Sequence, residues 1–319
     1  MKKITALLIF AVFAVSCKNK DKVQEAIDQV PVHLEVERFD KIFYETKPEN
    51  LSEIKRQYPY FFPAGNEDTV WTNKMKNPLL KELHAEVQKQ FGDFAKEKEE
   101  LENLFRHIQY YFPQTKLPKV ITLISEVDTQ GKVIYADSLL LLSLDVYLGK
   151  EHRFYEGFPD YQKISFEKSQ LLPDVVSDFS LRVIPPPRDR TLLSQMIYFG
   201  KEMYLKDLLI PQVSDADKIG YSAEQIAWSE ENENYIWRYF IDEKLLYDSD
   251  PKLAGRFINP APFSKFYLEI DNESPGRIGM WIGWQIVRSY MKNNDVSLQQ
   301  LLQADAKEIF DNSKYKPKK

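Results

Sequence analysis

RTLLSQMIYFGKEMYLKDLLIP, running from Arg190 to Pro211, is the stretch on which the architecture turns. Leu193, Met196, Ile197, Gly200 and Tyr204 recur at the three-and-four spacing of one buried helical face. The run Pro185-Pro186-Pro187 cannot continue a helix, and Pro211 closes this one. The pattern predicts a central helix, entered from a preceding strand, that forms the core of the domain. A helix that held zinc for hydrolysis would carry two imidazoles one turn apart with a glutamate beside them. This one carries Ser194, Gln195 and Tyr198 at that spacing, which predicts a chemically silent core helix.

The chain has 319 residues, 43% of them hydrophobic and 29% charged, enough for one large core. Its net charge of -5 leaves no basic excess to neutralise phosphates and argues against a nucleic-acid surface. Eleven glycines are few for this length, and with long amphipathic runs they favour a helix-rich α+β fold over a sandwich or barrel. The single cysteine, Cys17, excludes an internal disulfide and a thiolate metal cluster.

Cys17 has a different use. Met1-Lys2-Lys3 is a basic start, and the apolar run Ile4 to Val15 falls well short of the ~20 residues that span a bilayer. It fits the apolar region of a signal peptide. Small residues then lead directly into the cysteine, as in a bacterial lipobox. Residues 1–17 are therefore expected to be a lipoprotein leader cleaved before Cys17, whose thiol takes a diacylglycerol and whose new amine is acylated. Several acyl chains at ~0.8 kcal/mol per buried CH₂ anchor stably. Residues 18–29 are polar and without period, and are expected to form a tether.

Further along, Val32 to Phe39 alternates as a half-buried strand, and Pro48 opens a short helix through Gln57. The aromatic loop Tyr58 to Pro63 is expected to pack. Helices are expected over Pro78 to Phe94 and Lys96 to Tyr111, with Leu80, Leu83, Val87 and Phe91 facing inward on the first. Strands follow at Val120 to Ser125, Val133 to Ala136 and Leu139 to Leu148, the last apolar enough to be covered on both faces. Ser222 with Gln225 and Ser297 with Gln300 are capping boxes that open later helices. Pro275 to Lys292 is an apolar helix whose Gly279 and Gly283 form a close-packing device. Residues 30–313 read as a single domain, and 314–319 as a frayed basic tail.

None of the common catalytic patterns is complete. The four histidines, His33, His84, His107 and His152, include no pair one helical turn apart. Gly220-Tyr221-Ser222 begins a nucleophile elbow and does not finish it, and no phosphate-cradling glycine loop or calcium loop is present. A glycosidase-like carboxylate pair is not visible from sequence alone. For binding, the aromatic segment Tyr58 to Phe62 and Trp228, Trp237, Trp281 and Trp284 are the candidate contacts.

Taken together, the lipobox, VHLEVERFD at 32–40, LLLSLDVYLGKE with HRFY at 140–155, SQMIYFGKEMYL at 194–205 and ESPGRIGMWIGWQIVRSYM at 273–291 resemble the gliding-motility lipoprotein GldB family of Bacteroidetes. The family is distantly similar to zincin-like metallopeptidases. The resemblance implies a degenerate zincin-like α+β domain with a small β-sheet packed on a helical half. In that overlay Ser194 falls at the first metal-ligand position, Gln195 at the general base and Tyr198 at the second ligand. No cofactor is then expected. What the resemblance implies is a non-enzymatic envelope protein required for gliding. It would be held in the membrane by lipid, face the periplasm and support the motility and linked secretion machinery. An envelope hydrolase with carboxylates in place of zinc is the alternative.

Overall fold

The computed structural model describes residues 22–136 and 138–318. The leader, Cys17 and the first residues of the expected tether lie outside them. Residues 22–28 are helical and Ile27 is buried, so this half of the expected tether already belongs to the folded body.

Four short strands form one sheet in the order β1-β2-β4-β3: β1 (Val36–Arg38), β2 (Lys119–Leu123), β3 (Val133–Ala136) and β4 (Leu139–Ser143). β1, β2 and β4 run parallel, with Val36, Val120 and Leu140 in register, and β3 pairs antiparallel to β4. Alternation sends Val120, Leu140 and Leu142 into the main core. Ile121, Leu139 and Leu141 meet a second cluster on the other face, built on Phe39, Phe43, Tyr58, Phe62 and Met75. The aromatic loop is therefore packing, apart from half-exposed Tyr60.

Two strands are shorter than their pattern. The alternation from Val32 survives only at β1, because Phe39 already opens helix α1 (Phe39–Glu45). The run from Leu139 leaves the sheet at Ser143 and turns through a 3₁₀ segment, Leu144–Val146. The cause is Asp145: wholly buried, its carboxylate accepts from Ser125 N at 2.9 Å and Val127 N at 2.6 Å. That grip folds the end of β4 against the turn after β2, where Glu126 and Val127 both take positive φ.

Helices α2 (Leu51–Gln57), α3 (Asp68–Lys76), α4 (Pro78–Phe91) and α5 (Ala95–Tyr111) flank the sheet. The second half is helical: α6 (Asp160–Lys163), α7 (Leu171–Val183), α8 (Leu192–Leu209), α9 (Asp215–Ile219), α10 (Ala223–Glu231), α11 (Glu233–Asp242), α12 (Lys252–Phe257), α13 (Ile278–Asn293), α14 (Leu298–Gln303) and α15 (Ala306–Ser313). The organising helix α8 is entered from helix α7, not from a strand. Thr191 caps it by accepting from Ser194 N. Both expected capping boxes are present, at Ser222 and Ser297. The helical stretch expected after Ser222 divides at Asn232 into α10 and α11. The basic tail is docked: Tyr315 donates to Glu233 at 2.7 Å, and Lys318 pairs with Glu230 at 3.1 Å.

The core centres on the crossing of α8 and α13. A Cβ on Gly283 would lie 1.8 Å from Met196 O, and one on Gly200 would lie 2.4 Å from Gly283 O. Backbones touch there because neither residue has a side chain. Trp281 and Trp284 are sealed into this core, edge to face with centroids 5.7 Å apart, so they are not contact surface. Among the described residues no helix is long and apolar enough to cross a membrane.

Candidate functional site

The C-terminal half of α8 borders a cavity of about 600 Å³, lined also by α7, α9, the segment 160–166 and the start of α13. Five cationic side chains reach its wall, Lys132, Lys150, Lys206, Lys218 and Arg277, against three carboxylates, Asp160, Asp174 and Glu202. Glu202 and Lys206 lie one turn apart on α8, both buried, with Lys206 Nζ 3.2 Å from Glu202 Oε1. Glu202 also accepts from Ser177 Oγ at 2.6 Å, and Lys206 donates to Lys218 O at 2.9 Å. Two buried charges of opposite sign are tolerated here because each has its partner and a further hydrogen bond.

Opposite them, Asp174 on α7 accepts from Tyr147 Oη at 2.9 Å and lies 3.3 Å from Lys132 Nζ. Lys132 stands 5.5 Å from the centroid of the Tyr147 ring and 5.3 Å from that of Phe166, where the ring faces favour a cation. Burial, and then the charge and hydrogen bond of Asp174, push the Tyr147 hydroxyl far up, so it stays protonated and donates. Lys218 turns to Asp207 at 3.0 Å and Asp215 at 3.5 Å, two carboxylates that Arg288 also grips at 2.7 and 2.8 Å. Burial of Asp215 is outweighed by Arg288 and Lys218, which hold its carboxyl below the usual range.

A smaller cleft of about 360 Å³ lies against the N-terminal half of α8, between the triple-proline loop and α14–α15. Here the structure places Ser194 and Tyr198, together with Ile197 and Lys201. Gln195 does not join them: its amide donates to Arg190 O at 3.0 Å, back along its own helix start. Lys201 is buried and donates to the carbonyls of Leu302 at 3.0 Å and Ala304 at 2.7 Å, which closes the end of α14. Burial drives its ammonium down to about 8, against the raising pull of Asp305 and Glu308.

The histidines stay apart. His33 is exposed beside Glu102, His107 is buried against Asn103 O, and His152 meets Glu86 at 3.3 Å. His84 stacks on Tyr44 with Nε2 3.6 Å from Glu45, and burial lowers its basicity. Among the described residues no three His, Cys, Asp or Glu side chains come together as metal ligands. Trp237 packs on Phe310 and Tyr315, so its ring serves to hold the C-terminal segment.

Ser194 and Tyr198 thus line the smaller cleft, and the paired charges of the larger cavity lie about two turns further along the same helix. Glu202 and Lys206 were visible as a charged i, i+4 pair inside an otherwise apolar helix, a signal that burial of the helix should have turned into a prediction of a polar pocket. Asp174, Lys132 and Arg277 carried no such signal, since each enters the wall from a different element.

A family model described as Gliding motility protein GldB matches residues 20–317, nearly the whole chain, and the family is one of lipoproteins. No curated protein matches the chain. No solved structure matches it either.

Proposed function

Because this chain belongs to the gliding motility protein GldB family, we propose that it serves gliding as a binding component of the cell envelope and not as a hydrolase. Cys17 would carry the lipid, the domain would face the periplasm, and the partners would be other motility and secretion components. The observation that supports this most is the state of the cavity's carboxylates. Glu202 and Asp174 are each engaged by a lysine and a hydroxyl, which leaves neither poised to take a proton from water.

A degenerate zincin-like ancestry fits the same reading. At Ser194, Gln195 and Tyr198 helix α8 offers an alcohol, an amide and a phenol where a His-Glu-x-x-His helix carries two imidazoles and a carboxylate.

The motility role is tested by clean deletion, with colony spreading and delivery of surface adhesins as readouts. Both should fail and be restored by the wild-type gene, and a deletion strain that spreads normally refutes the role. The non-catalytic half is tested on purified protein by metal analysis and a peptide-library assay. Stoichiometric tightly bound metal, or turnover that Glu202→Gln abolishes, would establish the carboxylate hydrolase instead.

A further inference from the structure

Resting on the reading of this chain as a binding component, we propose that the cavity of about 600 Å³ takes a small ligand bearing an oxyanion, carboxylate or phosphate, which pairs with Arg277. The other charges of the inner wall cancel locally. Lys132 meets Asp174, Lys206 meets Glu202, and Lys218 shares Asp207 and Asp215 with Arg288. Asp160 is met by Lys163 at 2.9 Å.

Among the described residues Arg277 has no such partner. Its Nη2 donates to Ile219 O at 2.6 Å and Gly220 O at 3.1 Å, both neutral carbonyls. Among the described residues Nε and Nη1 donate to nothing. The residue is half-buried, so its guanidinium has lost part of its hydration without gaining a counter-ion, a costly state unless something supplies one. Lys150, exposed at the rim, also makes no ion pair among the described residues.

The backbone holds Arg277 in place for this role. It is the residue before α13 and sits at φ +62°, a left-handed conformation that a large side chain rarely adopts. Gly276 beside it is packed so tightly that a Cβ would lie 2.2 Å from Ala261 O, and the Tyr221 hydroxyl donates to Gly276 O. The Tyr221 ring lies 5.7 Å from the guanidinium carbon. The sixteen-residue helix that starts at Ile278 adds its positive end to the same corner. A cavity of about 600 Å³ is of the size that encloses a ligand of ordinary metabolite dimensions.

The test is isothermal titration of the full chain, purified in neutral detergent, at fixed ionic strength so that screening is constant. The probes are inorganic phosphate, glucuronate, triglycine and triglycine amide. Saturable binding of an oxyanion probe is expected, with none for the amide; the phosphate and carboxylate arms identify which oxyanion is taken. Arg277→Gln should weaken binding at least tenfold and Lys150→Gln about threefold, while Lys96→Gln, on the exposed side of α5 and not in the cavity wall, changes nothing. Should Arg277→Gln fail to fold, Lys150→Gln, at an exposed position, decides. Absence of saturable oxyanion binding overturns the proposal, as does binding indifferent to the cavity variants. Cells carrying Arg277→Gln separate the two readings: lost binding with normal spreading leaves the ligand assignment standing and removes its link to motility.

Discussion

Replacing Gly283 with alanine puts one methyl group at the tightest point in the fold. The new Cβ would lie 1.8 Å from Met196 O and 2.5 Å from Met196 C, where about 3.4 Å is needed for carbon against oxygen. The obstacle is main chain, so no rotamer relieves it. The axes of α8 and α13 must separate by roughly 1.5 Å, opening the packing around Trp281 and Trp284. Overpacking of this kind costs about 3 kcal/mol, at the upper end of its usual range. Alanine returns about 1 kcal/mol through its better helix propensity. The expected net loss is therefore about 2 kcal/mol, read from urea or guanidinium unfolding as a lower midpoint with an unchanged slope. Gly255→Ala is the control, since α12 leaves nothing within 4 Å of a Cβ there and only the propensity gain should appear. Gly200→Ala forces the same separation of the same helices, so the double variant should lose less than the two single losses added. A Gly283→Ala protein as stable as wild type would refute the claim that this crossing is closed by backbone contact.

Two further outcomes follow from buried charge. Burial would raise the carboxyl of Asp40, but Arg38, with hydrogen bonds from Thr122 and Gln88, holds it below its ordinary 3.8. Its contribution to stability is thus present above pH 3.8 and lost as pH falls through the lower folded value. Arg38→Gln should cost about 3 kcal/mol at pH 7 by leaving that carboxylate buried without a cation, and acid titration of the variant should show unfolding at higher pH than wild type. Lys201 has the opposite sense: its folded ammonium titrates near 8 and its unfolded one near 10.5, so the unfolded chain holds the proton more tightly. Between pH 7 and pH 9 wild type should gain roughly 1 kcal/mol relative to Lys201→Met, measured by denaturant unfolding at the two pH values.

The glycine pair shows how far local pattern reaches. Gly200 sits on a face defined by Leu193, Met196 and Ile197, and Gly283 on a helix apolar on nearly every side, so both were legible as buried helical glycines. Their facing one another was not. The strand run from Leu139 shows the opposite failure. Its apolar residues stay buried to Leu148, yet the ladder stops at Ser143 because Asp145 captures two amides from the turn after β2. A hydrophobic run reports burial and does not report whether the backbone pairs.

What the sequence determined by itself is what depends on neighbours along the chain: the period of α8, the caps at Ser222 and Ser297, the turn between β2 and β3, and the basic, apolar and cysteine-terminated start. The tertiary structure alone decided which charges meet. Asp174 finds Lys132 and Asp207 finds Arg288 over separations of tens of residues, and among the described residues Arg277 finds no carboxylate. Electrostatic pairing falls off with distance in space and takes no account of distance along the chain, so the cavity and its unmatched guanidinium exist only once the helices have packed.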